Sequence, residues 1–269
     1  MEREVEIREI PMTPLDQELL KVQQAMQGVR FVELGTSKRS VTLLEEYHPN
    51  VYCKGFEDAG ECEGVEDMIK HLRQSAAGEI EEGSFHVFLA LKKETDAQGR
   101  EVEKVVAGRN ITYLSKYNTI WSEFRTTEPG VRGIGIGYML VKATVEAMDR
   151  VAQAHGHQHL DYSMIEQNDP ARYLSSSGKE TPEVNQSRVD KARRDGWHLL
   201  HVNYVQPALA STGLPVKGLN LLGRSEDPRS RQNREEAPLQ PIAKEKLAAG
   251  HGRRLLSKRH GLSQPDEVP

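Results

Sequence analysis

Residues 119–141 read TIWSEFRTTEPGVRGIGIGYMLV. The nine residues from Thr119 to Thr127 predict a strand, Glu128-Pro129-Gly130 breaks it, and closely spaced glycines precede a helix that opens at Tyr138. A strand that runs into glycines and then a helix presents free backbone N–H groups and the positive end of a helix dipole at one point. The stretch therefore predicts a site for an anion such as phosphate.

The segments around this loop complete a regular order of elements. Apolar residues after the loop keep a period of about 3.6 residues, which predicts a helix of about four turns up to the region of Gly156. A strand is predicted from Leu160 to Ile165, and another from His198 to Val205. Upstream, Ser84 to Lys92 and Val102 to Leu114 predict two strands of a hairpin.

Spacing separates the loop from two common phosphate-binding fingerprints. A GxGxxG fingerprint that begins at Gly133 would require a glycine at position 138, where this chain has Tyr138. No GxxxxGK string followed by Ser or Thr occurs in the sequence. The pattern that fits is Arg/Gln-x-x-Gly-x-Gly/Ala, met by Arg132, Gly135 and Gly137. With its flanking strands and helix, the chain here resembles the GNAT superfamily of acyl-CoA-dependent N-acyltransferases over about residues 84 to 205.

The resemblance implies an α/β (α+β) fold with a central mixed, mostly antiparallel sheet flanked by helices. In that family a splayed strand pair holds coenzyme A. The expected domain covers residues 1–222, and residues 1–80 form its acceptor-side elaboration. Residues 223–269 are polar and rich in proline, which predicts a disordered C-terminal tail.

The resemblance also implies which residues contact the co-substrate, acetyl-CoA or another acyl-CoA. The loop's backbone amides would hold the pyrophosphate, and amides at the end of the preceding strand would contact the thioester carbonyl. Asn168, in Asn168-Asp169-Pro170, matches an Asn that touches the pantetheine arm and starts the next helix; as an alternative, this tripeptide is an ordinary turn or helix cap. The predicted cofactor-binding residues are Phe124, Arg125, Thr126, Arg132, Gly133, Ile134, Gly135, Ile136, Gly137, Tyr138 and Asn168.

Acyl transfer to an amine needs a base for the ammonium proton and often an acid for the leaving thiolate. Glu123 is the predicted base, since it lies on the strand that enters the loop; Glu166 competes with it, and an edge glutamate facing solvent is the structural alternative. Residues Ala192 to Trp197 resemble the family's helix end before a Gly-aromatic pair, here Gly196-Trp197. The family often carries an acidic Tyr four residues before that Gly, where this chain has Ala192. Tyr173 and Tyr204 are the predicted substitutes, with packing as the alternative role.

Composition argues against several other classes of protein. A net charge of -4 gives no basis for a nucleic-acid-binding protein, and no apolar run approaches the roughly 18 residues of a membrane span. Cys53 and Cys62 form no CxxC pair, so we expect neither a disulfide framework nor a zinc ribbon. His155, His157 and His159 lie at a predicted helix end without a ligand cluster, so no metal is expected. A cytoplasmic protein, monomeric or homodimeric, is predicted.

Three functions remain open. The first is an N-acyltransferase, most often an N-acetyltransferase in this family, that moves an acyl group from acyl-CoA to an amine in a ternary complex. The acceptor would be a small molecule, a peptide or a carrier-bound amine. The second is a GNAT-fold module that binds coenzyme A with weak or no turnover, which Ala192 favours. The third is a nucleotide-binding protein that uses the same loop for another phosphate.

Overall fold

A computed structural model describes residues 8–9, 27–56, 62–172, 181–202, 204–206, 217–227 and 230. The strands among them are Arg8–Glu9 (β1), Val29–Glu33 (β2), Gly83–Thr95 (β3), Glu101–Leu114 (β4), Thr119–Thr127 (β5), Tyr162–Asn168 (β6), His198–Leu200 (β7) and Leu219–Ser225 (β8). The α-helices are Lys38–Tyr47 (α1), Val65–Ala77 (α2), Ile136–Ala154 (α3) and Pro182–Arg194 (α4). The chain divides into two compact units, the first of Met1–Gly55 and Gly64–Leu160, the second of Phe56–Glu63 and Asp161–Pro269.

The first unit contains an antiparallel sheet in the order β1-β2-β3-β4-β5. Its longest pairing is the predicted hairpin of β3 and β4, which is confirmed. The Asp96 carboxylate closes the hairpin turn by accepting backbone N–H groups of Gln98 and Arg100, both at 2.9 Å. Gly99 supplies the left-handed residue of the turn, with φ at +79°.

Helix α3 provides much of the core of the first unit. The apolar period predicted after the glycine loop is confirmed, and the helix runs for 19 residues. Its apolar side packs against the sheet in one cluster of buried residues. That cluster includes Met139, Leu140, Val145 and Met148 of α3 with Phe88, Ile111, Tyr113 and Ile120 of the strands.

Helix α1 covers part of the same sheet, where the sequence alone left residues 41–47 unassigned. Ser37 caps the helix, since its hydroxyl accepts the Ser40 N–H at 3.2 Å. Tyr47 at the helix end is fully buried, and its hydroxyl donates to Asn110 Oδ1 of β4 at 3.4 Å. A Cβ on Gly108 would overlap the Tyr47 ring, so this close approach requires glycine in β4.

In the second unit β8 pairs antiparallel with both β6 and β7. Helix α4 ends where the sequence predicts: Gly196 is left-handed with φ at +82°, and the Trp197 N–H bonds the Ala192 carbonyl at 3.0 Å. Trp197 packs against Ala192 and Leu222, and the Arg224 guanidinium lies 4.7 Å from its ring centroid. This arrangement fixes the start of β7.

Three predicted boundaries in the second unit are wrong. The strand predicted over 160–165 begins at Tyr162 and reaches Asn168, because Asn168 pairs with Leu219 of β8. Asn168 therefore ends a strand and does not start a helix, and α4 begins only at Pro182. The strand predicted to reach Val205 ends at Leu200. Strand β8 spans Leu219–Ser225, and the domain boundary at residue 222 and the disorder of the tail stay predictions.

The expectation that the cysteines form no disulfide is also wrong. Cys53 and Cys62 are both disulfide-bonded, and neither is a free thiol. Spacing could not indicate the bonding state of these cysteines, because a disulfide has no fixed sequence motif. Disulfides are rare in reducing compartments, so the cytoplasmic location stays a prediction that this bond does not favour.

None of the helices in the part of the chain that the structure describes is long and apolar enough to cross a membrane.

The contact between Gly108 and Tyr47 gives a stability prediction. Gly108→Ala forces the new methyl group into a fully buried ring, so we expect a loss of about 1–3 kcal/mol in the free energy of unfolding. The measurement is chemical denaturation. Gly130→Ala is the matched control, because its Cβ meets nothing within 4 Å; equal stability of the two variants would contradict the packing.

Candidate functional site

The loop between β5 and α3 is anchored at its start. Glu128 N–H bonds the Val106 carbonyl at 2.8 Å, and a 3-10 turn follows at Pro129–Val131. The Val131 side chain is buried in the core, and Arg132 Nε donates to the Thr127 carbonyl at 3.0 Å. These contacts fix the path by which the chain leaves β5.

Two glycines turn the chain into the helix. Gly133 and Gly135 have φ of +84° and +90°, a left-handed backbone that side chains with a Cβ rarely adopt. Gly135 is the N-cap of α3, and no side chain caps the helix there. The first turn of α3 carries no acidic residue. The amides of this turn and the helix dipole therefore suit an anion.

The loop separates buried anchors from an open surface. Ile136 is buried in the core and Ile134 packs against it, whereas Arg132, Gly133 and Tyr138 are exposed. A Cβ on Gly133 would meet nothing within 4 Å, so the space outside its backbone is open. The predicted loop residues are therefore divided between the core and the exposed surface, and their binding role stays a prediction.

The three predicted residues before the loop lie in β5 and pair with β4. Phe124 is opposite Asn110, Arg125 opposite Arg109 and Thr126 opposite Gly108. The Phe124 ring meets Tyr52 edge-on, with centroids 4.9 Å apart.

Glu123 occupies a β-bulge. Ile111 pairs with Ser122 and Asn110 pairs with Phe124, so β5 carries one more residue than β4 at Glu123. The side chain is half-buried, and its Oε1 accepts the Thr112 hydroxyl at 2.5 Å. A bulge re-aims a side chain and is common beside active sites. Glu123 is therefore a positioned carboxylate, in contrast to the solvent-facing alternative.

Three polar side chains near this part of the sheet were not identified from the sequence: Tyr47, Asn110 and Thr112. Burial, with a smaller contribution from Tyr52, raises the pKa of the Tyr47 hydroxyl well above its usual value, so this group stays neutral. Its acceptor Asn110 is 63 residues away along the chain, and Thr112 is 11 residues from Glu123. No local motif joins such residues, so only the strand register could have indicated them.

In the second unit the structure brings together two residues predicted for different roles. The Tyr204 hydroxyl donates to Glu166 Oε1, so the candidate acid and the competing base form one pair. Tyr173, the other candidate acid, lies outside the described residues. Ala192, where the family often has a tyrosine, is buried against Trp197.

A cavity of about 500 Å³ also lies in the second unit. Its lining includes Pro170 and the α4 residues Pro182, Glu183, Gln186 and Asp190. Among the predicted site residues that the structure describes, none lines it. The cavity is therefore not assigned to the predicted chemistry.

No family model and no curated protein matches the sequence. Among solved structures, the chain is similar to a protein assigned to the GNAT family of acetyltransferases from Bacteroides thetaiotaomicron. The TM-score is 0.51 and the identity 18%, over 87% of this chain and 99% of that one. The chain has the GNAT fold.

Two further structures have lower scores. A GNAT-family acetyltransferase from Staphylococcus aureus has a TM-score of 0.44 and 10% identity, covering 73% of this chain and 98% of that one. The PaiA N-acetyltransferase from Thermoplasma acidophilum, solved in complex with coenzyme A, has a TM-score of 0.41 and 9% identity. The match covers 73% of this chain and 98% of that one. The GNAT fold of this chain rests on the Bacteroides structure, and the predicted α+β fold with a mostly antiparallel sheet is confirmed.

The coupling free energy of the hydrogen bond between Thr112 and Glu123 can be measured by a double-mutant cycle. Hydrogen bonds to charged groups contribute about 1.5–3 kcal/mol, so Thr112→Val and Glu123→Gln should couple by about 1 kcal/mol or more in the free energy of unfolding. The control cycle pairs Glu123→Gln with Thr126→Val, where we expect coupling below about 0.5 kcal/mol. Equal coupling in the two cycles would remove Thr112 as the partner that orients Glu123.

Proposed function

We propose that this protein is an acyl-CoA-dependent N-acyltransferase, and most specifically an N-acetyltransferase, which transfers the acyl group directly to an amine. One observation carries the proposal: the GNAT fold places two left-handed glycines before an uncapped helix that lacks acidic residues in its first turn. This combination provides backbone donors and a positive dipole with no competing carboxylate.

In this proposal the loop from Arg132 to Tyr138 binds the pyrophosphate of the acyl-CoA through backbone N–H groups. The open space outside Gly133 lets phosphate oxygens approach the main chain. Arg132 is exposed beside it and adds positive charge. The amides of Phe124, Arg125 and Thr126 are proposed to contact the thioester carbonyl, and Asn168 the pantetheine arm.

Glu123 is the proposed base. Its carboxylate accepts a proton from the substrate ammonium, directly or through water, and the free amine then attacks the thioester carbonyl. The C–N bond forms, the C–S bond breaks, and the thiolate leaves with a proton from an acid. The extra proton on the attacking nitrogen returns to that acid, which gives the neutral amide. The hydrogen bond from the Thr112 hydroxyl holds one Glu123 carboxylate oxygen in a fixed position.

Tyr204 and Tyr173 are the proposed acids. Tyr204 is held by Glu166, which orients its hydroxyl but also engages the proton that the thiolate would need. A second function follows from Ala192: because this position is filled by a buried methyl group against Trp197, it supplies no acid. A coenzyme-A-binding module with weak or no turnover therefore remains the alternative.

Ligand-dependent stability tests the loop. A ligand at about 100 times its Kd adds about 2.7 kcal/mol, and each kcal/mol raises Tm by about 2–4 °C for a domain of this size. We expect a rise with coenzyme A and acetyl-CoA and none with ATP or NAD. Gly133→Ala places a Cβ at a left-handed position and should weaken the response, whereas Gly130→Ala should keep it. An equal rise with ATP would instead favour a nucleotide-binding protein.

Thiol release with a panel of amines tests turnover. General base catalysis contributes about 100- to 10,000-fold, so Glu123→Gln should lower kcat by at least about 100-fold and leave coenzyme A binding unchanged. The Gly130→Ala variant is the control for activity. Normal turnover of Glu123→Gln would exclude Glu123 as the base. No turnover by the unmodified protein, combined with coenzyme A binding, would favour the binding module.

A further inference from the structure

Three side chains on β2 and β3 form a continuous hydrogen-bonded series. His86 Nε2 lies 2.7 Å from Ser84 Oγ, and His86 Nδ1 lies 2.7 Å from Glu33 Oε1. Ser84 and His86 are two residues apart in β3 and so share one face of the sheet. Glu33 of β2 pairs with Phe88, which makes it the diagonal neighbour of His86.

The carboxylate determines how the imidazole is protonated. Ionised Glu33 only accepts hydrogen bonds, so a neutral His86 carries its proton on Nδ1 and donates it to Glu33. Nε2 is then an acceptor, and the Ser84 hydroxyl donates to it. This is the arrangement in which histidine can take a proton from a serine nucleophile.

The series is held in place and is still reachable. The side chains of His86 and Glu33 are 12% and 19% exposed, and Ser84 is half-buried. The His86 ring stacks on the buried Phe88, with the planes 19° apart. Partial burial strengthens the two hydrogen bonds without closing the serine to a small reagent.

This group differs from the proposed acyltransferase site. Phe85 pairs with Thr112, so Thr112 and the Glu123 carboxylate that it binds lie on the opposite face of the sheet from Ser84 and His86. No step proposed above uses Ser84, His86 or Glu33. Their roles can therefore be tested independently of Glu123.

We propose that Ser84 is the nucleophile of a second, separate site, where it takes an acyl group from an activated carboxylic ester with His86 as base and Glu33 as the positioning carboxylate. Ser84 Oγ bonds to the ester carbonyl carbon, and its proton moves to His86 Nε2. The ester C–O bond breaks, and the leaving oxygen receives that proton. Water then attacks the acyl-serine with His86 as base, which yields acid and free Ser84.

The test is covalent labelling of the full chain by a fluorophosphonate probe, with the modified residue mapped by mass spectrometry. The probe loses fluoride as Ser84 Oγ bonds to phosphorus. An oxyanion hole is not part of this assignment, so modification is the primary readout and hydrolysis of p-nitrophenyl acetate the second. We expect labelling at Ser84 in the unmodified protein.

Variants then assign the roles. Ser84→Ala should abolish labelling, and His86→Gln should slow it by about 100-fold or more, as expected for loss of a general base. Glu33→Gln should slow it by at least about tenfold, because the wrong tautomer is then favoured. His157→Gln is the matched control: His157 Nε2 lies 3.3 Å from a backbone carbonyl, and labelling should not change.

The unmodified protein alone can overturn the proposal, whether or not the variants fold. No label on Ser84, under conditions that fully label a known serine hydrolase, would make the series purely structural. Equal labelling rates of the His86→Gln variant and the unmodified protein would also overturn it, because the serine would then react without the base.

Discussion

The left-handed backbone at Gly133 and Gly135 is the constraint on which the rest of the candidate site depends. A Cβ in this conformation costs about 1–2 kcal/mol per residue, so glycine is the residue that allows so sharp a turn from β5 into α3. The turn lets Val131 and Ile136 enter the core on either side of the loop. The start of α3 then has no side-chain cap on its backbone amides.

The sheet of the first unit carries polar chemistry on both faces. On one face the bulge at Glu123 breaks the regular alternation and lets Thr112 bind its carboxylate. On the other face regular alternation puts Ser84 beside His86. The contact between Thr112 and Glu123 depends on an irregular strand register, and the contact between Ser84 and His86 depends on a regular one. A single antiparallel sheet can therefore hold two groups of hydrogen-bonded polar side chains on opposite faces.

Local sequence signals predicted the elements whose causes are local. The period of α3, the glycines of the loop and the Gly-aromatic end of α4 each depend on neighbouring residues, and each prediction was correct. The helix start predicted at Asn168 was wrong because Asn-Asp-Pro suits both a helix start and a turn, and the choice depends on pairing with β8. The contact of Tyr47 with Gly108 and the Thr112 bond to Glu123 follow from strand register, which composition and period do not determine.

The most direct test of the account is hydrogen–deuterium exchange with and without coenzyme A. If the loop amides hold the pyrophosphate, exchange should slow in the peptides that cover residues 132–139, while peptides from the β3–β4 hairpin turn, residues 96–100, serve as the internal control. We predict slowing in the loop with coenzyme A and none with ATP. Unchanged exchange in the loop at saturating coenzyme A would contradict the account, because the ligand would then bind elsewhere.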